Sequence, residues 1–441
     1  MKFFLTATFY FVFWVAFAQS GIDYALKNSG VKFKSIEDAV TFINASSLTE
    51  KEKAYAAYYW IAHNVSYDIR KFLKDKPSYM EPKQVFSKKK AVCIGYAKLF
   101  QEMCHQMNLQ CEVITGYSKG YGYKKNQQFI DADHAWNTVK IDSVWYLVDP
   151  TWASGNIEEK TFRTKFHMDF NDKFFMASPD EFVETHLPEM PMWQLLNSPV
   201  PVKIFSASED RVWMFLKNKP ASEFNYADSI RTFLSLAEMP RSIKYGASAY
   251  KFNPLNTLPL AIEMMVSLQY KLKKDTTFDI ESVRTIDSMM TVNTKAAELF
   301  KKNKTLKQSR KDIIVLGLRL SNDLSARLYL ARALAIERTA DFYNLSSFDS
   351  LKLNTGLILD ALKKALNASK EANDPNLTRK INEYVCEKYI MFYDLYSSFG
   401  KRETDKKKIK IVERETGTLL QNARKNVPAK SKCFQKISQL K

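Results

Sequence analysis

Three side chains in the first half of the chain have the types and order needed for thiol chemistry. Cys93 is followed 41 residues later by His134, and 15 residues after that by Asp149. A free thiol is mostly protonated at neutral pH, and the thiolate is the nucleophile. A histidine beside the sulfur takes its proton and holds the resulting ion pair; a carboxylate behind the imidazole fixes its tautomer and orientation. Taken singly, the three have plainer readings: a packing cysteine on an apolar helix, a core histidine, and an aspartate starting a turn before Pro150.

The elements that must position them are legible as patterns. Tyr96, Ala97, Phe100, Met103 and Cys104 recur at helical spacing, which predicts a helix over 93–107 with Cys93 in its first turn. There the positive end of the helix dipole favours a thiolate. Gly95 leaves room for backbone or substrate to approach near the sulfur. Strands are expected at 111–116, 134–141 and 144–149. The last two form a hairpin turning at Asp142 and Ser143, with Ile141 opposite Val144. In that register His134 and Asp149 share a face, one diagonal step apart and within side-chain reach; a slip of one residue would separate them. Upstream, Ser47 to Glu50 reads as a capping box opening a helix through 52–63, with Ala54, Tyr58 and Ile61 facing inward. For the oxyanion, the Cys93 backbone N–H is one natural donor. Gln84, nine residues upstream, is a candidate second donor, or else a solvent-facing polar residue. Trp136 is a candidate positioning residue beside His134. His63, His105, His167 and His186 form no metal-ligand spacing, and a thiol triad requires neither metal nor cofactor. His63 reads as a helix-end residue and His186 as a structural one.

These blocks resemble the transglutaminase-like superfamily, of papain-like design, and within it the kyphoscoliosis-peptidase type. The resemblance rests on Tyr59 to Asp68, Val92 to Ala97, His134 to Asn137 and Val148 to Trp152. It extends to a closing segment with Phe174 to Pro179, His186 to Pro188 and Trp193 to Leu196. It covers about residues 45–200. It implies an α+β domain with an antiparallel sheet and a catalytic helix, and maps Cys93, His134 and Asp149 onto nucleophile, general base and orienting acid. It implies a protein or peptide substrate and acyl transfer to water (a peptidase or amidase) or to an amine (a cross-linking transferase). The superfamily also includes non-catalytic interaction proteins built on the same scaffold.

Around this domain, the sequence divides at Pro188, Pro191, Pro199 and Pro201, a cluster unsuited to the inside of a regular element. The expected organisation is a signal peptide over 1–18, a catalytic domain over 19–200 and an all-α region over 201–441. Apolar runs near 257–273, 281–302, 312–340, 356–371 and 377–397 predict a helical bundle or irregular solenoid; no 34-residue period persists. Met1 and Lys2 precede the apolar run Phe3 to Phe17 and a small-x-small motif ending at Ala18, the pattern of a cleaved export signal, short for a membrane span. The mature chain is expected outside the cytoplasm, secreted or in the periplasm or cell envelope, without a transmembrane span.

In an oxidising compartment five cysteines leave one unpaired. Pairing Cys104 with Cys111 and Cys386 with Cys433 leaves Cys93 as the free thiol. Hydrophobic residues make up 46% and charged residues 26%, the balance of a folded protein rather than a disordered one. Of the formal +18, half lies in residues 401–441, which hold 13 Lys and Arg against 4 Asp and Glu. Such an end suits an anionic envelope surface or acidic substrate, and equally a solvated helical face. No reader motif for nucleic acid is present.

Overall fold

The computed structural model describes residues 31–46, 48–75, 80–160, 163–219, 222–274, 283–305, 307–340, 342, 347–429 and 431–440. The proposed signal peptide lies outside them. The chain forms two compact units. One runs to Thr257 and includes Lys304–Lys311; the other comprises Leu258–Asn303 and Asp312–Lys441.

The first unit is α+β. Its helix Glu50–Asn64 opens on a capping box made by Thr49 and Glu52, two residues later than the sequence pattern suggested. Thr49 accepts from the Glu52 amide, while the Glu52 carboxylate returns to the Thr49 amide at 2.8 Å. Short parallel strands β1 (Ser66–Tyr67) and β2 (Lys90–Ala91) then bring the chain to the long helix Cys93–Gln106. That helix lies on a five-stranded antiparallel sheet of β3 (Cys111–Ser118), β4 (His134–Ile141), β5 (Val144–Val148), β8 (Phe175–Ala177) and β9 (His186–Pro188), ordered β8-β5-β4-β3-β9. The β4–β5 register pairs Ile141 with Val144 and Asn137 with Val148, as the hairpin reading requires. A separate hairpin, β6 (Gly155–Lys160) with β7 (Arg163–Met168), begins at Gly155. Gly155 has φ +147°, and a Cβ there would stand 2.0 Å from the His167 carbonyl oxygen, so only glycine fits.

The prolines do not end this unit. Pro188 closes the edge strand β9, where a missing N–H is tolerated, and Pro191 starts a 3₁₀ turn over Pro191–Gln194. The chain beyond them stays with the unit. Phe205, Val212 and Leu216, from the helices Val202–Ala207 and Glu209–Lys217, join a core around Tyr117 and Phe129. Farther on, the buried Glu189 carboxylate accepts hydrogen bonds from Thr115, Tyr245 and Asn256. A buried carboxylate is tolerable when its acceptor sites are filled in this way. That network holds residues 245–256 against β3.

The second unit is helical over its described residues. Leu258–Lys274 packs on Val283–Lys302, and Phe348–Glu371, Pro375–Arg402, Lys406–Asn426 and Lys432–Gln439 pack in succession. Their core includes Ile358, Leu362, Ile381 and Phe392. A disulfide joins Cys386 to Cys433 across 47 residues of chain, whereas Cys104 and Cys111 are buried free thiols. The expected Cys104–Cys111 bond is therefore corrected. Both sulfurs sit in the apolar layer between the Cys93 helix and β3, where a thiol packs as a small hydrophobe. Reducing Cys386–Cys433 is expected to destabilise the second unit by about 4 kcal/mol on the chain-entropy model. Denaturant unfolding with and without reductant, followed by a probe in that unit, measures this; an unchanged midpoint would refute it. No described helix is long and apolar enough to cross a membrane.

Candidate active site

Cys93 is the first residue of its helix. Val92 is the N-cap, and the amides of Gly95 and Tyr96 return to the Val92 carbonyl at 2.8 and 3.4 Å. Both flanks are anchored: Asp68 N–H donates to the Ala91 carbonyl at 2.8 Å, and Tyr96 OH donates to the Val65 carbonyl. Cys93 as a residue is half-buried. Gly95 has a different reason from the one expected. A Cβ there would stand 2.6 Å from Ala91 Cβ and 3.1 Å from Val85 Cγ2, so its close approach is to the core rather than to substrate. Gln84 is exposed, and its side-chain oxygen accepts from the Glu81 amide at 3.3 Å as the third residue of the helix Pro82–Lys88. Its side-chain oxygen thus caps this helix, and its exposure agrees with the solvent-facing alternative.

His134 begins β4. The turn into that strand is fixed because Asp133 N–H donates to the Gly116 carbonyl at 2.9 Å and its carboxylate accepts from the Ser118 amide at 2.8 Å. Asn137, fully buried on the same strand, donates to the Ala97 carbonyl at 2.9 Å and the Glu112 carbonyl at 3.3 Å. One amide thus braces the Cys93 helix against the strand that carries His134. Asn137 was part of the sequence block, but its bracing role was not readable there.

Asp149 leaves β5 to cap the four-residue helix Pro150–Ala153. One carboxylate oxygen accepts from the amides of Thr151 at 2.7 Å and Trp152 at 3.1 Å. The other faces His134 Nε2 at 2.8 Å and His186 Nε2 at 3.1 Å. The Cys93 sulfur is the other group that acts on the His134 ring. Sequence therefore selected three residues that the fold brings together. It missed a fourth, His186, whose backbone position depends on β9 pairing with β3.

Burial opposes a charge on His134, but Asp149 beside it and the Cys93 sulfur outweigh that and raise its pKa to about 10. Burial also penalises the Asp149 carboxylate; His134 and His186 more than compensate and hold it well below the usual range. His186 goes the other way. Burial lowers it to about 4, against the pull of Asp149 and with the push of the cationic His134. The opposed shifts make His134 the cationic ring and His186 the neutral one.

Trp136 is fully buried and lies on the same face of β4 as His134, with ring centroids 5.8 Å apart. It also meets His186 edge-on at 5.2 Å, and so serves as a floor to both imidazoles. The ligand atoms of His134, Asp149 and His186 lie within 4.8 Å of one another, a donor set able to hold a divalent metal. Each imidazole nitrogen is at hydrogen-bond distance from one shared oxygen, so protons suffice to explain the closeness.

The sequence model of the transglutaminase-like superfamily matches residues 38–150, a stretch holding all three predicted residues. The chain carries a transglutaminase-like domain. Human kyphoscoliosis peptidase is 36% identical over 171 residues, 38% of this chain and 26% of that protein. Drosophila melanogaster hillarin is 31% identical over 121 residues, covering 25% of this chain and 15% of its own. The Lim and transglutaminase domain protein ltd-1 of Caenorhabditis elegans is 28% identical over 177 residues, 38% of this chain and 24% of that one. The chain thus spans about a quarter or less of the length of these relatives.

Proposed function

We propose that the protein is an exported thiol acyl-transfer enzyme, a peptidase or amidase acting on protein or peptide substrates. The observation that carries this reading is the grouping of Cys93, His134 and Asp149, with a half-buried cysteine at one end and a buried carboxylate at the other. The Cys93 thiolate attacks the substrate carbonyl carbon, forming a C–S bond and moving the carbonyl π pair onto oxygen. The Cys93 amide, a first-turn N–H without an intrahelical acceptor, is placed to donate to that oxygen. Collapse of the adduct breaks the C–N bond, and His134 gives its proton to the leaving amine. Water then attacks the thioester, with His134 accepting its proton, and the acid product leaves as the thiolate re-forms. Water is the default acceptor in an open aqueous site, and the name of the human relative agrees with hydrolysis.

Labelling with a thiol-reactive peptide electrophile tests the nucleophile. Wild-type protein is expected to be labelled at Cys93, and Cys93→Ala to lose essentially all labelling. Equal labelling of the two would sink the mechanism. Export is supported by the sequence of residues 1–18. The N-terminus of protein recovered from outside the cytoplasm is expected near residue 19, and retention of Met1 in cytoplasmic protein would contradict it. An anionic envelope surface is the partner proposed for the basic end, since Lys406, Lys407 and Lys410 are exposed on the helix Lys406–Asn426. Reversing these three charges to Glu is expected to release the protein from an envelope fraction at low salt; undiminished binding would dispose of that partner.

A further inference from the structure

We propose that His186 is a positioning residue for the triad: a buried imidazole that shares Asp149 with His134 and limits how strongly the carboxylate holds the His134 proton. The inference rests on the thiol acyl-transfer reading above and concerns how that site is tuned.

Hydrogen-bond accounting fixes which nitrogen of the ring faces the carboxylate as a donor. An ionised carboxylate only accepts, so the Nε2 atoms of both His134 and His186 must donate to the same Asp149 oxygen. With its proton on Nε2, a neutral His186 has a bare Nδ1. That atom lies 2.8 Å from Thr185 Oγ1, whose hydroxyl can donate to it, while the Phe182 backbone also reaches the ring and favours its charged form. The titratable groups acting on His186 are Asp149 and His134; the first favours its charge, while burial and the second oppose it. The opposed shifts place the positive charge of this pair on His134, where Asp149 outweighs burial, rather than on His186, where burial prevails.

The ring is also held against rotation. Phe182 stacks on it at 4.1 Å and 22°, Trp152 lies at 4.3 Å, and Trp136 closes the edge at 5.2 Å. Its backbone is fixed by the pairing of Ser118 with His186. A ring only 1% exposed in an aromatic cage brings a single polar atom to Asp149 and excludes solvent from that side. With this donor present the carboxylate accepts four hydrogen bonds, three of them from groups other than His134. Each spreads the negative charge and weakens the grip on the imidazolium proton. A general acid that must release its proton to a leaving amine gains from that restraint.

The test uses the full-length protein and the rate of Cys93 alkylation by iodoacetamide from pH 4 to 11. This readout reports the thiolate and its imidazolium partner without a known substrate. In wild type, an alkaline inflection marks the loss of the His134 proton. His186→Phe fills the cage but donates nothing, and is expected to raise that inflection by about half a pH unit or more. His186→Gln, whose amide can reach Asp149, is expected to return it towards the wild-type position. Unchanged inflections in both variants, whatever their melting temperatures, would make His186 structural only and overturn the proposal. Absence of any imidazolium inflection in the wild type would remove the triad reading and this inference together, so the two failures are distinguishable. A check that needs no mutation is the ¹⁵N spectrum of the wild type. His186 is expected as the neutral Nε2–H tautomer from pH 5 to 8, and a charged His186 in that range would overturn the proposal.

Discussion

Asp149→Asn is expected to slow acylation of Cys93 by roughly 10³–10⁴-fold while leaving the fold intact. The reason is tautomeric rather than merely electrostatic. The amides of Thr151 and Trp152 need an acceptor, so the Asn carbonyl must face them. Its NH₂ is then turned towards the Nε2 atoms of His134 and His186, both of which are donors in the wild type. His134 is driven to carry its proton on Nδ1, the nitrogen that should accept from the thiol. The base is then present but has no lone pair where it is required. Labelling rates and, once a substrate is found, kcat/KM measure the loss; a variant within about tenfold of wild type would contradict this account.

The same substitution has a pH signature. The pKa of His134 is raised in the folded protein, to about 10, so its contribution to stability is complete below the unfolded value of about 6.5 and is lost as pH rises through 10. Asp149→Asn removes the main favourable influence on that ring. The stability difference between wild type and variant is thus expected to be largest between about pH 4 and 6.5 and to close towards pH 10. His186 works in the opposite direction. Its folded pKa is depressed to about 4, so its contribution is present above 6.5 and lost as pH falls through 4. Urea midpoints measured at several pH values separate the two, and a difference that widened above pH 8 would refute the assignment.

Trp136→Ala is the largest expected stability loss, about 3–5 kcal/mol. The indole is completely buried at the junction of β4, β3 and β9, touching both imidazoles and meeting Phe182 edge-on at 5.9 Å. The packing is tight: a Cβ at Gly116 would stand 2.4 Å from Trp136 Cη2 and 2.3 Å from the Leu187 carbonyl oxygen. Neighbours pinned in this way cannot collapse fully into the space an alanine leaves, so the cavity penalty adds to lost transfer energy. Denaturant unfolding of the first unit would measure it, and a loss below about 1 kcal/mol would show that the cage relaxes freely. Labelling of Cys93 should fall as well, because His134 and His186 lose a common floor.

How much of this was legible follows from the range of each interaction. The β4–β5 hairpin is local, so the period-two parity of His134 and Asp149 could be read from its turn and survives in the observed register. The helix starting at Cys93 was equally local, fixed by an apolar stripe over 14 residues. Errors arose where one side chain had several available partners. Glu52 rather than Glu50 completes the capping box, and Gly95 faces Ala91 rather than substrate. The proline cluster misled because an edge strand accepts a terminal proline that an interior strand would not. His186 was beyond reach for a different reason. Its role depends on β9 returning to pair with β3, and no local pattern specifies a partner some 70 residues away.

That return of β9 also sets a timetable. Ninety-three residues separate Cys93 from His186. At roughly 5–20 residues per second, synthesis of the intervening chain takes on the order of ten seconds. Throughout that interval the nascent chain carries its thiol at the head of an incomplete sheet, because the edge strand and the Phe182 wall of the aromatic cage come from its last-made part. Closure of the Asp149 side of the site is therefore a late event in synthesis, and a chain truncated before residue 186 should lack both the edge strand β9 and the second imidazole on that carboxylate.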